Sequence, residues 1–222
     1  MSAPLRVDIV SDTVCPWCYV GKRHLEAAMQ QRPDVSFDCH WQPFQLNPNM
    51  PMEGVDRETH WKKKFGDSDR IREMVGRLKQ VGEKLDIPFA FGEIKRQPNT
   101  LRGHALLHAL NGQWERQNAL KEALLKAFFI DARDIGDEQT LLELAAAVDM
   151  DETTAKSILD DDALIDRVRA LDQQARQIGI SGVPTFIFDQ KTGMSGAQPV
   201  EALLEMIDQL RPEQSPQSVP SS

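Results

Sequence analysis

The chain has 222 residues, of which 41% are hydrophobic and 6% aromatic, so it can bury a sizeable core and does not have the composition of a disordered chain. Its formal net charge is −8, and its longest basic run is the three lysines at 62–64, which argues against nucleic-acid binding because an acidic chain repels phosphate backbones. No stretch approaches the roughly 18 apolar residues of a membrane span. The N-terminus has no basic segment followed by an apolar run, so we expect a cytosolic protein.

The opening of the chain has the pattern of a strand, a helix and a second strand. Apolar residues alternate with other residues at 5–10 and again at 35–41, which is typical of half-buried strands. Between them, apolar residues recur at helical spacing over 17–29, until Pro33 ends the run. The order of these elements is therefore β, α, β.

The middle of the chain is predicted to be helical, and the end returns to strands. Apolar stripes at helical spacing predict helices over residues 71–85, 99–110, 120–128, 141–148 and 164–178, with a further short helix that begins at Asp151. After Gly179 the pattern predicts a strand at 185–188, a second short strand at 194–195 and a closing amphipathic helix at 203–210.

These elements predict a discontinuous domain of residues 1–50 and 179–212, interrupted by an all-helical domain of residues 51–178. Residues 213–222 are rich in Pro, Ser and Gln and are predicted to form a disordered tail. The fold class is therefore α/β, with βαβ and ββα halves separated by a large helical insertion.

The segment VCPWC places Pro16 and Trp17 between Cys15 and Cys18. Such a pair can exchange electrons, hold a metal or lie inert in a core. A structural zinc site needs four ligands, and the chain has no second CxxC; the nearby Cys39 and His40 would point to opposite faces of a strand. The zinc site and the inert pair remain as weaker alternatives.

The position of the pair favours redox chemistry. Pro16 suits the first turn of a helix, where its missing N–H would have no partner, so Cys15 lies at the helix start. Unpaired N–H groups and the helix dipole favour a thiolate there. Cys15 is therefore the expected nucleophile, and Cys18, about one turn further on, is the expected resolving thiol.

A second segment, GISGVPTFIF, places Pro184 directly before a predicted strand. Proline cannot donate to a sheet ladder, and X–Pro bonds are the main place where cis peptides occur. A cis Val183–Pro184 bond would leave the backbone of Val183 free to pair with an extended substrate. An ordinary trans turn is the alternative.

Together, SDTVCPWCYVG (11–21), GISGVPTFIF (179–188) and SGAQP (195–199) resemble the DsbA-like thiol oxidoreductases, specifically the FrnE-like branch. The segments PFQLNPNM (43–50) and PNTLRGH (98–104) also match that branch, so the resemblance covers residue 4 to about 210. It implies a thioredoxin fold with a helical insertion, disulfide exchange by Cys15 and Cys18, and Pro184 as the cis-proline.

Two departures from related families limit what the resemblance implies. DsbA itself has Pro-His between its cysteines, whereas this chain has Pro16-Trp17, so strong oxidising power is not carried over. The sister 2-hydroxychromene-2-carboxylate isomerases share the architecture and bind glutathione, but typically have serine where Cys15 stands here. The presence of both cysteines favours redox work over isomerisation.

We therefore predict a cytosolic dithiol–disulfide oxidoreductase that acts on protein or small-molecule thiols and requires no metal or organic cofactor, with glutathione as a possible co-substrate. A glutathione-dependent isomerase or transferase, and a redox-linked chaperone or interaction protein, are the alternatives. Trp17 and Pro16 are predicted to lie beside the substrate. The resemblance adds Asn99 and His104 as residues of the cleft, and Cys39 is predicted to be a core thiol.

Overall fold

The computed structural model describes residues 3–66 and 68–211, so the tail predicted at 213–222 lies outside the described residues. The strands are β1 (Leu5–Ser11), β2 (Phe37–Pro43), β3 (Val55–Asp56), β4 (Arg96–Gln97), β5 (Thr185–Phe188) and β6 (Thr192–Ser195). The helices are α1 (Pro16–Gln31), α2 (Arg57–Phe65), α3 (Ser68–Glu83), α4 (Leu101–Ala109), α5 (Trp114–Phe129), α6 (Glu138–Ala146), α7 (Glu152–Leu159), α8 (Asp162–Gln177) and α9 (Val200–Leu210). Within the described ranges, no helix combines the length and the apolar composition needed to cross a bilayer.

The central sheet has the strand order β2-β1-β5-β6. β1 and β2 are parallel and joined by α1, whereas β5 runs antiparallel to both β1 and β6. Every odd residue of β1 from Leu5 to Ile9 is fully buried, as the alternating pattern predicts. This is the thioredoxin fold, with both halves in the predicted order.

The insertion is not all-helical, which corrects the sequence prediction. β3 and β4 form a two-residue antiparallel ladder, with Val55 opposite Gln97 and Asp56 opposite Arg96. Strands this short give no alternation to detect, and their pairing joins positions about forty residues apart in the chain. The ladder ties the start of α2 to the segment before α4.

The two parts of the fold share their apolar packing. One core cluster lies around the sheet and combines β1, β2 and β5 with α9. Another fills the helical insertion, but it also contains Val14, just before α1, and Tyr19 and Val20 of α1. α1 is thus packed on both sides, and the proposed division into separate domains stays a prediction.

Candidate active site

The two cysteines lie where β1 gives way to α1. Cys15 is the N-cap residue of α1 with extended backbone angles, and Pro16 occupies the first turn. The N–H of Cys18 donates to the Cys15 carbonyl oxygen at 3.0 Å, which closes the first turn. Cys15 is 4% exposed and Cys18 is fully buried, so Cys15 is the sulfur nearer to solvent.

The loop before β5 faces this helix start. The Val183–Pro184 peptide bond is cis. The thiol of Cys15 lies 3.5 Å from the carbonyl oxygen of Val183. The N–H of Val183 donates to no acceptor in the parts of the chain that the structure describes. An edge of backbone with an unused donor therefore lies directly beside the more accessible sulfur.

Gly21, one turn further along α1, allows this close approach. A Cβ atom at Gly21 would lie 2.8 Å from Cγ of Pro184 and 3.2 Å from Cζ of Phe186. Real Cβ contacts are essentially never shorter than 3.0 Å. Only glycine at this position lets α1 pack against the Val183–Pro184 loop as it does.

The two cysteines are both free thiols, and they share a hydrogen bond, so they titrate as a pair. Burial raises the pKa of the Cys18 thiol, but hydrogen bonding with Cys15 and the positive charge of Lys121 lower it by more, and the net pKa is lowered. Hydrogen bonding with Cys18 and then burial raise the pKa of Cys15. The first proton of the pair is therefore lost at a lowered pKa and the second at a raised one. The lowered pKa belongs to Cys18, whereas the helix-start position predicted the more stable thiolate at Cys15; the hydrogen bond with Cys18 and burial outweigh that effect.

A cluster of buried polar side chains lies behind the pair. Asp12 is fully buried, accepts from the Leu46 N–H at 2.7 Å and lies 3.4 Å from Nε2 of His104. Burial raises the pKa of Asp12, but the interactions with His104, the Leu46 N–H and Lys121 lower it by more. An ionised carboxylate is thus stabilised below Cys15 and Cys18.

Lys121 on α5 is the buried cation of this cluster. It is fully buried, and its Nζ has no hydrogen-bond partner among the described residues. Burial lowers its pKa to about 8, although the charges of Cys18 and Asp12 favour the protonated form. Its ammonium also lies 5.1 Å from the centre of the Trp41 ring. Lys121 therefore supplies positive charge to the pair from a water-poor environment.

Asp12, Gly21 and Lys121 were not singled out from the sequence. Lys121 could have been, because Leu124, Leu125 and Phe128 follow it by three, four and seven residues, which places it on the apolar face of the predicted helix. A polar residue at a buried position of a helix is a signal for a specific partner. No comparable pattern in the sequence marks Asp12 or Gly21.

Lys64, in the last turn of α2, is an exposed lysine whose pKa is affected by the site. Nζ of Lys64 donates to Oδ1 of Asn47 at 2.6 Å. Burial lowers the pKa of Lys64, whereas the charges of Asp12 and Cys15 raise it. All three lysines at 62–64 are exposed, so this basic run forms a solvated face of α2.

The other predicted site residues, Trp17, Asn99 and His104, lie in three different environments. Trp17 is half-buried beside Cys18 and packs against the core of the insertion. Asn99 is 4% exposed and is occupied in donating to the Met50 carbonyl at 2.6 Å and accepting from the Leu101 N–H at 2.9 Å. His104 is 2% exposed against Asp12. The structure therefore brings His104 to the site from below and places Asn99 in a structural role.

Cys39 lies on β2 away from the pair. It is 1% exposed and packs in the core around the sheet. Burial, with smaller contributions from Asp38 and Asp8, raises its pKa to about 12. Its placement agrees with the prediction of a core thiol. Over residues 3–66 and 68–211, no group of three or more His, Cys, Asp or Glu side chains is arranged to hold a metal ion.

A thioredoxin fold that carries two cysteines at a helix start opposite a cis-proline is the architecture of disulfide oxidoreductases. Residues 6–208 match the family described as DSBA-like thioredoxin domain, and the chain belongs to that family, as the sequence motifs predicted. The structure is similar to a probable DsbA oxidoreductase from Streptomyces coelicolor, with 31% identity and a TM-score of 0.83 over 97% of this chain and 93% of that one.

Two more distant structures share the fold. A 2-hydroxychromene-2-carboxylate isomerase is 14% identical, with a TM-score of 0.71 over 92% of this chain and 95% of its own. The cytosolic disulfide reductase DsbM from Pseudomonas aeruginosa, solved with GSH, is 20% identical, with a TM-score of 0.65 over 93% and 99% of the two chains. The architecture thus supports a disulfide oxidoreductase in general and is shared with an isomerase.

Proposed function

We propose that the protein is a dithiol–disulfide oxidoreductase in which Cys15 attacks and Cys18 resolves. The observation that carries this proposal is the position of the Cys15 sulfur, at a helix start and 3.5 Å from the Val183 carbonyl oxygen. Cys18, one turn below, is fully buried, so an incoming sulfur would meet Cys15 first. The pKa of Cys18 is lowered and that of Cys15 is raised, so Cys15 would attack after its proton passes to Cys18 within the pair.

In the reducing direction, the Cys15 thiolate attacks one sulfur of a substrate disulfide. A new S–S bond forms, the substrate disulfide breaks, and one substrate sulfur leaves as a thiolate. Cys18 then attacks the Cys15 sulfur and breaks the mixed disulfide, which releases the second substrate sulfur; the Cys18 proton passes to one of the two substrate thiolates and solvent protonates the other. The products are a Cys15–Cys18 disulfide and a substrate dithiol, so two electrons have moved from protein to substrate. The oxidising direction is the reverse, and neither needs a metal or organic cofactor.

The backbone of Val183 is the proposed dock for an extended substrate. Its unused N–H would donate to a substrate carbonyl and so hold the scissile sulfur beside Cys15, in the manner of strand addition. Trp17, half-buried between the cysteines, and Pro16 would form the adjoining surface. The predicted contacts of Asn99 and His104 with substrate are not part of this proposal, because both side chains are buried.

Glutathione is a proposed co-substrate, and the cytosol is the proposed location. Lys64 is an exposed ammonium on α2 that donates to Oδ1 of Asn47, and it could also meet a carboxylate of a small thiol peptide. The related DsbM, a cytosolic reductase, was solved with GSH. In a reducing compartment the pair would be kept as the dithiol that acts first.

The test compares the wild type with Cys15→Ser, Cys18→Ser and the control Cys39→Ser in reduction of a peptide disulfide and oxidation of a peptide dithiol. Cys15→Ser should lose both activities. Cys18→Ser should stop at the mixed disulfide, visible by mass spectrometry as a covalent peptide adduct on Cys15. Cys39→Ser should match the wild type. Full activity in Cys15→Ser would refute the proposal, and a wild type that is inert towards every dithiol and disulfide but binds glutathione would favour the isomerase alternative.

A further inference from the structure

A cavity of about 1000 Å³, separate from the cysteine site, lies between α2, α3 and the segment at 91–95. It shares no lining residue with the cysteine pair or the Val183–Pro184 loop. Its apolar walls are formed by Trp61, Ile71, Val75, Phe91 and Ile94. Its volume is that of a pocket for a small organic molecule.

Arg57, the first residue of α2, lines this cavity and is 5% exposed. Its guanidinium lies 4.1 Å from the centre of the Trp61 ring, and Nη1 donates to Oε1 of Gln97 at 3.0 Å. No carboxylate lies within ion-pair distance of it in the described parts of the chain. Burial lowers its pKa to about 10, so it is charged at neutral pH. A buried charge normally has a counter-charge, and none of the described carboxylates provides one here.

The rim of the cavity is also basic, although the whole chain carries a net charge of −8. Five of the lining residues are basic and two are acidic: Arg57, Lys62, Arg72, Lys79 and Lys95 against Asp56 and Glu58. Lys62 is paired with Glu58, which removes one charge of each sign, and Arg72 is paired with Asp69, which lies outside the lining. Lys79 and Lys95 have no carboxylate partner within residues 3–66 and 68–211, so an excess of positive charge surrounds the opening.

Three glycines line the cavity. A Cβ atom at Gly66, Gly76 or Gly92 would meet nothing within 4 Å. Gly76 lies inside α3, where glycine costs about 1 kcal/mol relative to alanine. No neighbouring atom requires a glycine there, so the packing of the fold does not explain it. The absence of a side chain at Gly76 leaves space at the cavity wall.

We propose that this cavity binds an amphipathic organic monocarboxylate, with the carboxylate against Arg57 and the apolar body along Trp61, Val75 and Phe91. A guanidinium can accept a carboxylate in a planar, two-bonded arrangement. The single buried cation matches a single negative charge, and the aromatic and aliphatic walls match a hydrocarbon body. This binding function is independent of the cysteine chemistry proposed above.

The test titrates dodecanoate, and dodecanol as its uncharged counterpart, into the full-length protein by isothermal calorimetry and tryptophan fluorescence. Wild type should bind dodecanoate at least tenfold more tightly than dodecanol. Arg57→Gln should weaken dodecanoate binding at least tenfold and leave dodecanol binding within about twofold. Cys15→Ser should bind dodecanoate as wild type does, even if disulfide exchange fails.

Gly76→Leu gives a second variant that does not remove a buried charge. Leucine favours the helix more than glycine and would occupy the cavity, so it should abolish binding of both probes while keeping or raising the thermal midpoint. Gly193→Leu is the matched control, since Gly193 also has open space at Cβ but lies on β6 outside the cavity. It should bind as wild type does. No binding by wild type, or unchanged binding in Arg57→Gln and Gly76→Leu, would overturn the proposal.

Discussion

Lys121 is the residue outside the CxxC whose charge most favours ionisation of the pair. It is fully buried, and its ammonium lowers the pKa of Cys18 more than any other charge does. A charge in a water-poor interior acts more strongly than the same charge at the surface. The helical insertion therefore contributes directly to the reactivity of a sulfur pair carried by the thioredoxin half.

Replacing Lys121 with methionine should raise the pH at which the pair first ionises. Methionine keeps most of the buried volume and removes the charge, so the thiolate loses its nearest cationic support. At neutral pH, alkylation of Cys15 should slow several-fold, and the thiolate absorbance near 240 nm should titrate at higher pH. Lys126→Met is the control, since Lys126 lies on the same helix and pairs with Asp131 at the surface. Superimposable pH profiles of Lys121→Met and wild type would contradict this role.

Cys39 should behave as an inert thiol in the folded protein. It is 1% exposed, and its pKa is raised to about 12, so it has almost no thiolate at neutral pH. Brief treatment with iodoacetamide at pH 7.5 should label Cys15 and leave Cys39 unmodified, as read by peptide mass spectrometry. In urea all three cysteines should react. Labelling of Cys39 at a rate similar to Cys15 in the native protein would count against its assignment to the core.

At the scale of elements, the contact between α1 and the Val183–Pro184 loop sets the geometry of the site. Gly21→Ala would bring a methyl group to 2.8 Å from Pro184 and 3.2 Å from Phe186. We expect a loss of about 1–3 kcal/mol in the free energy of unfolding, because overpacked cores shift backbone. Disulfide exchange should slow as Val183 moves away from Cys15. Urea unfolding and the kcat/KM for a peptide disulfide measure the two effects.

The matched control for this substitution is Gly76→Ala on α3, where a Cβ atom meets nothing within 4 Å. Alanine there should stabilise the protein by up to about 1 kcal/mol through helix propensity alone. If Gly21→Ala were equally stabilising and fully active, the close approach of α1 to the loop would not be a constraint on the site.

The elements that the sequence predicted well are those with a local pattern. The alternation of β1, the Pro16 helix start and the stripes of the long helices all follow from neighbouring residues. The sequence did not predict the features that depend on contacts between residues far apart in the chain. The β3–β4 ladder, the approach of Gly21 to Pro184 and the placement of Lys121 behind Cys18 join residues forty or more positions apart, and no local pattern marks such pairs.

At the scale of the whole molecule, a cluster of charged side chains joins α1 to α5. Glu122 accepts from Oη of Tyr19 at 2.6 Å and from Nη2 of Arg23 at 2.6 Å, and lies 2.8 Å from Nζ of Lys22. The side chain of Lys22 is only 3% exposed, so its charge depends on Glu122 and Glu26. One carboxylate of the insertion thus connects three side chains of the helix that begins at the active site.

Removing that carboxylate charge should weaken the attachment of the two parts. Glu122→Gln leaves Lys22 buried with one counter-charge in place of two, and we expect a loss of about 2–3 kcal/mol in the free energy of unfolding at pH 7. Glu58→Gln is the control: its pair with Lys62 is exposed, with side chains 77% and 68% accessible, so the loss should stay below about 1 kcal/mol. A loss in Glu122→Gln no larger than in this control would show that the cluster does not hold α1 to α5.

The same cluster predicts a pH dependence with a definite sign. Burial raises the pKa of Glu122, but Lys22, Tyr19 and Arg23 lower it by more, to below its ordinary value of 4.5. Between the two values the unfolded chain binds more protons than the folded one, so the stabilisation is fully present above about pH 4.5 and is lost as the pH falls through the folded pKa. Urea unfolding of wild type and Glu122→Gln at several pH values should therefore give a constant difference from pH 7 down to about 5 and a shrinking one below it. A difference that stays constant well below pH 4.5 would mean that the glutamate acts through its shape and packing, since a contribution from its charge must shrink once the unfolded chain binds a proton that the folded chain does not.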